Sequence, residues 1–216
     1  MTANGALQLL GVRLSLHGRA LIEHLDASVG PGECLTLMGP SGSGKSTLLA
    51  YLSGTLAPVF DASGSVTIGG TDITSLAPER RGVGILFQDD LLFPHMSVGA
   101  NLAFALPADV RPRAARDAQV EAALAEAGLP GIARRDPATL SGGQRARVAL
   151  MRTLLARPRV LLLDEPFNKL DAQLRNDFRA FVFEHARQRA LPVLLVTHDE
   201  QDARAAGGQV IVLGAA

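Results

Sequence analysis

The chain has 216 residues, enough for one large domain or two small lobes with a substantial core. Its 21 Lys and Arg residues balance 21 Asp and Glu residues, so net charge provides no bulk attraction for nucleic acid or anionic lipid. A single cysteine excludes an internal disulfide, which suits a reducing compartment. The sequence lacks signal-peptide features and apolar runs long enough to cross a membrane, so we expect a soluble, intracellular protein. From its balanced charge we expect that it does not bind nucleic acid.

Apolar patterns predict the strands. Residues 7–29 alternate apolar and polar positions, which predicts antiparallel strands joined by a turn at 17–19, and residues 65–70 predict a further short strand and hairpin turn. Continuous apolar runs of strand length predict buried strands at 34–38, 83–87, 160–163, 191–197 and 210–213. The run at 160–163 ends in acidic residues and is typical of a central parallel strand.

Helical periodicity dominates the middle of the chain. Three segments show it, separated by proline or glycine breaks: 97–106, 113–127 and 142–156. Residues 172–189 predict an amphipathic helix with Asp171 as its N-cap, and residues 199–206 predict a short helix.

The order of these elements predicts a single α/β domain with a parallel sheet. We assign 1–88 and 159–216 to a catalytic core that includes an N-terminal antiparallel β region. Residues 89–158 form an inserted helical lobe. Because the chain ends a few residues after the last predicted strand, we expect no further C-terminal domain.

A glycine-rich loop connects the predicted strand at 34–38 to a predicted helix over 46–52. The loop satisfies the P-loop pattern in full, with residues Gly39, Pro40, Ser41, Gly42, Ser43, Gly44, Lys45, Ser46 and Thr47. Backbone N–H groups at a helix N-terminus can hold a phosphate chain without water, and glycine permits a close approach. Lys45 can reach the β- and γ-phosphates, and the Ser46 hydroxyl can ligate Mg²⁺. We therefore predict a P-loop NTPase core of the RecA-like kind.

Two carboxylates follow the apolar strand at 160–163. In a P-loop enzyme the first, Asp164, holds Mg²⁺, and the second, Glu165, can activate the attacking water. Exposed Asp-Glu pairs are common, but their place at the end of a buried strand favours the catalytic interpretation.

A second helix with an anion-binding start is predicted at residue 141. The sequence Leu140-Ser141-Gly142-Gly143-Gln144 opens the helix over 142–156, and its first N–H groups can bind an anion. A single nucleotide does not need this second site from the same chain.

Together these motifs resemble those of ATP-binding-cassette (ABC) ATPases over nearly the whole chain. Residues 140–144 resemble the family signature, Gln88 the Q-loop glutamine, Asn168-Lys169-Leu170-Asp171 the D-loop, and His198 the switch histidine. The resemblance implies that two cassettes pair head to tail and that each ATP lies between the P-loop of one chain and the signature of the other.

The resemblance also implies residue roles. Glu165 polarises the attacking water and His198 contacts the γ-phosphate, while Gln88 senses Mg²⁺ and water and signals to the helical lobe. Asp171 couples the two sites. One position departs from the family pattern, because His17 stands where an aromatic residue usually stacks on adenine. We expect weaker adenine selectivity there, although His17 can also be read as a simple turn residue.

The segment 87–98, followed by Asn101-Leu102, resembles that of bacterial importer ATPases for thiamine, polyamines, sulfate or molybdate. In that group a groove receives a helix of a membrane permease, and Leu92, Phe93 and Met96 fit such a docking surface. Packing within the lobe is the alternative for each of these three residues. The resemblance implies a peripheral subunit on the cytoplasmic face of the inner membrane, served by an external substrate-binding protein.

Three alternatives remain open from the sequence. An exporter or lipoprotein-releasing ATPase would share the catalytic residues and differ in its membrane partner. A non-transport cassette of DNA repair or the ribosome typically carries coiled coils, zinc sites or a second cassette, which this sequence does not suggest. A binding-only module is disfavoured because every catalytic position is filled.

Overall fold

The structure, a computed structural model, describes residues 5–214. Its strands are β1 (Leu7–Leu16), β2 (Arg19–Val29), β3 (Cys34–Met38), β4 (Phe60–Ile68), β5 (Thr71–Asp72), β6 (Val83–Leu86), β7 (Val160–Asp164), β8 (Val193–Val196) and β9 (Gln209–Val212). Its α-helices are α1 (Lys45–Ser53), α2 (Val98–Phe104), α3 (Arg113–Glu126), α4 (Gly142–Leu155), α5 (Ala172–Gln188) and α6 (Glu200–Ala206). The predicted α/β class is confirmed.

The described chain divides into two compact units. Unit 1 contains the described residues up to Ile85, then Arg159–Glu165, and the described residues from Arg179 onward. Unit 2 contains Leu86–Pro158 and Pro166–Phe178. Residues 86–88 and 166–178, which the sequence led us to place in the catalytic core, therefore group with the helical unit.

The parallel sheet has the strand order β6-β7-β8-β3-β9. Strand β8 pairs in parallel with both β7 and β3, and β3 pairs in parallel with β9. Strands β3 and β7 are buried over their first four residues and β8 over its whole length, as the continuous apolar runs predict. The prediction that 160–163 is an interior parallel strand is confirmed.

The antiparallel sheet has the order β2-β1-β4-β5. A two-residue turn joins β1 to β2, and its residues His17 and Gly18 have φ angles of 49° and 79°, as a type I′ turn requires. Strand β4 begins five residues earlier than predicted. Residues 60–64 have little strand character of their own, but Phe60 pairs with Leu16 along the extended β1 strand.

Helix α1 lies in the core of unit 1. Its leucines Leu48, Leu49 and Leu52 are buried with side chains from both sheets, each contributing about 2 kcal/mol by burial. Gly54, in the left-handed conformation, ends the helix close to the end that the sequence predicts. The buried Arg81 guanidinium donates to the helix carbonyls of Tyr51 at 2.7 Å and Leu52 at 3.1 Å, which fixes this end of the helix.

Unit 2 is built from the predicted helices. Helices α2, α3 and α4 pack on one another and bury Leu102, Leu124 and Val148 completely. Phe167 and Phe178 pack edge to face with ring centroids 5.9 Å apart. In residues 5–214 no helix combines the length and apolar character that crossing a bilayer requires.

Candidate active site

The carboxyl ends of three neighbouring parallel strands carry the functional motifs of unit 1. Strand β3 leads into the glycine-rich loop, β7 ends at Asp164 and is followed by Glu165, and β8 leads to His198 two residues after its end. Adjacent parallel strands end at the same edge of a sheet, where α/β proteins bind their ligands. The fold therefore brings together these predicted site residues from distant parts of the sequence.

The loop at 39–44 depends on its glycines. Gly39, Gly42 and Gly44 have φ angles of 148°, 84° and 89°, which side-chain-bearing residues rarely adopt. A Cβ atom on Gly39 would also lie 2.5 Å from the Leu213 carbonyl oxygen. Gly44 is the N-cap of α1, and it uses no side chain to cap the helix. The N-cap of α1 thus supplies no side-chain hydrogen bond that would compete with an anion at this N-terminus.

Lys45 is 8% exposed and lies against this loop. Its ammonium group donates to the carbonyl oxygens of Gly39 and Pro40, each at 2.8 Å. The neighbouring Ser41, Gly42 and Ser46 are exposed to solvent. A phosphate chain on the loop would meet a buried, preoriented cation together with exposed hydroxyl groups.

Asp164 and Glu165 lie in a strained and partly buried environment. Burial, together with the adjacent Glu165 carboxylate, raises the pKa of Asp164 above its usual value, while the Lys45 ammonium opposes the shift. Glu165 has a φ of 47°, a left-handed conformation that is uncommon for residues other than glycine. Its N–H donates to the Val196 carbonyl at 2.9 Å, so β8 holds this backbone conformation in place.

His198 faces Glu165. Its Nδ1 atom lies 3.4 Å from Glu165 Oε1, and its side chain is 63% exposed. The pair places a carboxylate and an imidazole at the solvent-facing edge of the sheet. Such a pair can transfer a proton or contact an anionic ligand.

The site residues fit a Mg²⁺ ion bound together with a phosphate chain. Ser46 and Asp164 supply the oxygen donors that Mg²⁺ prefers, and a cation would offset the repulsion between the two carboxylates. Among residues 5–214 no cluster of three or more His, Cys, Asp or Glu side chains could hold a metal by itself. Phosphate oxygens and water are the usual further ligands of Mg²⁺ in nucleotide sites.

His17 lies at the exposed tip of the β1–β2 hairpin. The same hairpin approaches the loop, because a Cβ atom on Gly44 would lie 3.2 Å from the Leu21 side chain. The type I′ turn gives His17 a structural explanation, and a role in stacking on a base stays a prediction.

The second anion-binding start lies in unit 2. Ser141 is the N-cap of α4, with its hydroxyl accepting from the Gln144 N–H at 3.3 Å and the Gln144 side chain accepting from the Ser141 N–H at 3.0 Å. Ser141 and Gly142 are exposed, whereas Leu140 and Gly143 are buried. This capping box gives Ser141 and Gln144 a local role, so their contact with ATP stays a prediction.

Unit 2 also carries Gln88 and Asp171. Gln88 is exposed and follows β6 by two residues, while Asp171 caps α5 by accepting from the Leu174 N–H at 3.0 Å. The predicted N-cap is confirmed.

Arg145 joins two of these motifs within unit 2, and the sequence analysis did not single it out. Its guanidinium lies 2.9 Å from the Asp90 carboxylate, two residues after Gln88, and donates to the Leu140 carbonyl at 2.7 Å. One helix turn of α4 is thereby fastened to the segment after Gln88. A basic residue directly after the signature was the only available sequence signal.

Of the three predicted docking residues, Leu92 follows the alternative and packs within the lobe. Leu92 is only 9% exposed, and Phe93 and Met96 are half-buried. Leu92 follows a left-handed residue, Leu91, which turns Leu92 inward while Leu91 itself is 54% exposed. Phe104, which the sequence analysis did not select, is 65% exposed and packs on Phe93 with ring centroids 5.0 Å apart.

The raised pKa of Asp164 predicts that the ionised carboxylate lowers the stability of the nucleotide-free protein. The pKa of Asp164 is higher in the folded protein than in the unfolded chain, so the unfolded chain releases this proton at a lower pH. The folded protein therefore loses stability as the pH rises from the unfolded-state pKa to the folded-state pKa. Asp164→Asn removes this ionisation. We expect the nucleotide-free variant to melt higher than the native protein at about pH 7, with the difference shrinking towards about pH 4.

Thermal melts across this pH range, with Asp177→Asn as the control at an exposed position of α5, measure the effect. A variant that is less stable than the native protein at neutral pH would contradict the description of this site.

Comparison with known proteins identifies the family. Residues 22–168 match the family model described as ABC transporter. The chain is 51% identical over 191 residues to the uncharacterized ABC transporter ATP-binding protein YnjD of Escherichia coli K12, covering 88% of both chains. It is 45% identical over 196 residues to a putative 2-aminoethylphosphonate import ATP-binding protein of Salmonella typhimurium LT2, covering 89% of this chain and 52% of the relative.

A third relative is the sulfate/thiosulfate import ATP-binding protein of Mycobacterium bovis, 43% identical over 192 residues, with 89% of this chain and 54% of the relative covered. The chain thus spans about half the length of these two import relatives. The recognition made from the motifs is confirmed, and the chain belongs to the ATP-binding proteins of ABC transporters, a family that hydrolyses ATP.

Proposed function

We propose that this chain is the ATP-hydrolysing subunit of a bacterial importer and that it works as a head-to-tail dimer beneath a membrane permease. The observation that carries the proposal is the meeting of the P-loop, Asp164, Glu165 and His198 at one edge of the parallel sheet. The names of the relatives, two of which are import proteins, favour import over export.

In the proposed reaction the P-loop residues 39–47 and Lys45 bind the phosphate chain of ATP. Ser46, Asp164 and Gln88 would hold Mg²⁺, which when bound neutralises charge on the phosphates. Glu165 accepts a proton from the attacking water, the bond between the γ-phosphorus and the bridging oxygen breaks, and ADP is the leaving group. His198 contacts the γ-phosphate, a role that its distance of 3.4 Å from Glu165 supports.

The exposed start of α4 supplies the second half of the proposed composite site. Residues Leu140, Ser141, Gly142, Gly143 and Gln144 of one chain would contact the γ-phosphate of ATP bound to the other chain. An α-helix N-terminus favours such an anion, and ATP bound between the two chains then stabilises the dimer. Asp171 would couple the two sites, and loss of phosphate would release the chains.

An apolar face of unit 2 is the proposed permease contact. It consists of Leu91, Phe93 and Phe104, held together by Arg152, which lies 5.4 Å from the Phe93 ring centroid and donates to the Leu91 carbonyl at 2.8 Å. The buried amide of Asn101 also bonds the backbone of Phe93 on both sides. A preformed face with two exposed large apolar side chains suits a helix of a membrane protein.

The proposal places the chain as a peripheral protein at the cytoplasmic face of the inner membrane. In an importer, an external substrate-binding protein would deliver the transported molecule to the permease. The choice of that molecule belongs to those partners.

Glu165→Gln tests the proposed general base. The amide keeps the shape of the side chain but cannot accept the proton, so turnover should fall at least ~100-fold. ATP binding should persist, and the variant should accumulate as an ATP-bound dimer. Phosphate release and light scattering during size-exclusion chromatography with ATP measure the two effects.

Glu184→Gln, the same change at an exposed position of α5, is the matched control and should behave as the native protein. Rapid hydrolysis by Glu165→Gln would remove Glu165 from the proposed role.

The docking face is tested by copurification from detergent-solubilised membranes. A tagged chain carrying Glu165→Gln should retain a polytopic importer permease, and Phe104→Asp in that background should lose it because a charge then faces the apolar contact. Val59→Asp is the control, since Val59 is an exposed apolar residue of unit 1.

Mass spectrometry of the retained proteins decides between the alternatives. An exporter or lipoprotein-release protein would overturn the direction of transport, and ribosomal or DNA-repair proteins would overturn the transporter assignment. Equal loss of the permease with Val59→Asp would remove the specific role of the apolar face.

A further inference from the structure

A buried polar network lies beneath the turn that carries His198. It consists of Thr197, Asp199, Asp202 and Arg179, and all four belong to unit 1. Thr197 and Asp202 are 0% exposed and Arg179 is 4% exposed. Buried charged groups are costly unless they are paired, so a fully connected network at this place calls for an explanation.

The Thr197 hydroxyl closes the turn around His198. It donates to Asp202 Oδ2 at 2.6 Å and accepts from the N–H of Asp199 at 3.1 Å. The residues before and after His198 are therefore tied to the same hydroxyl group. The N–H of Thr197 also donates to the Leu37 carbonyl at 3.2 Å, which anchors the turn to β3 beside the P-loop.

Asp202 and Arg179 hold the Thr197 hydroxyl in place: Asp202 accepts its hydrogen bond, and Arg179 binds Asp202. Arg179 on α5 donates from Nε to Asp202 Oδ1 at 2.5 Å, and its Nη2 lies 3.3 Å from Asp199 Oδ2. The other oxygen of Asp199 caps α6 by accepting from the Gln201 N–H at 2.7 Å. Hydrogen bonds thus join the start of α6 to the turn before it.

His198 itself is held by little besides this backbone. Its side chain is 63% exposed, and its Nδ1 atom lies 3.4 Å from the Glu165 carboxylate. The position of the imidazole relative to Glu165 therefore depends on the conformation of residues 197–199. A shift of about 1 Å in a catalytic group can reduce a rate by two orders of magnitude, so the conformation of this turn matters for turnover.

We propose that Thr197 is a positioning residue for ATP hydrolysis, which acts through the backbone of His198 and is itself oriented by Asp202 and Arg179. The proposal rests on the role of His198 at the γ-phosphate proposed above. Thr197 does not touch the nucleotide, and its contribution disappears when the imidazole is absent. That dependence distinguishes positioning from a general contribution to folding.

The test is a double-mutant cycle between Thr197→Val and His198→Ala. Valine has the shape of threonine but lacks the hydroxyl, so kcat should fall about 10-fold while the affinity for ATP stays within about twofold. In the His198→Ala background the same change should alter kcat by less than about twofold. Thr197→Ser keeps the hydroxyl and should recover most of the native kcat.

Thr67→Val is the matched control, because the Thr67 hydroxyl donates to Gln8 in the antiparallel sheet, away from the edge that carries the site. Thermal melts establish that each variant is folded, and Thr197→Ala replaces Thr197→Val in the cycle if the valine variant does not fold.

Each outcome has one meaning. Full turnover by His198→Ala would overturn the proposed role of His198. Impaired His198→Ala with native kcat in Thr197→Val would overturn only the positioning role of Thr197. An equal fall in kcat when Thr197→Val is placed in native and His198→Ala backgrounds would also overturn it, since Thr197 would then act independently of the imidazole.

Discussion

The parallel pairing of β3, β8 and β7 is the constraint on which the site depends. These strands lie far apart in the sequence, and their hydrogen bonds bring their carboxyl ends to one edge of the sheet. The positions of the glycine loop, the two carboxylates and His198 all follow from that alignment. Several contacts then link neighbouring strand ends, among them the Glu165 N–H to the Val196 carbonyl and the Thr197 N–H to the Leu37 carbonyl.

The two anion-binding helix starts are built differently. Helix α1 begins at Gly44, whose left-handed backbone leaves the helix start without a side-chain cap. The N-cap of helix α4 is Ser141, and a capping box satisfies the N–H groups of Ser141 and Gln144. A phosphate at the start of α4 would compete with the Ser141 hydroxyl for the Gln144 N–H, whereas the N-cap of α1 has no side chain that could compete. The start of α4 contributes to ATP binding only in the proposed dimer.

Much of this fold could be predicted from the sequence, because the strands around the site are continuous apolar runs and the P-loop has fixed spacing. The start of β4 could not, since residues 60–64 form a strand only by pairing with β1. The sequence left open whether Leu92 is exposed, and the left-handed conformation of Leu91 decides that Leu91 faces outward and Leu92 inward. The network of Thr197, Asp202 and Arg179 escaped prediction because its members join three elements, although Arg179 beside Phe178 on an apolar helix face was a usable signal.

The central claim is that each active site is shared between two chains, and complementation tests it most directly. A chain with Lys45→Ala lacks a working P-loop, and a chain with Ser141→Arg lacks a working signature. In a head-to-tail dimer, mixing two inactive variants restores one complete site in each mixed pair, so activity should recover to at most roughly a quarter of the native value. Activity that stays at the level of the separate variants, in a mixture verified to contain mixed dimers, would contradict the shared site.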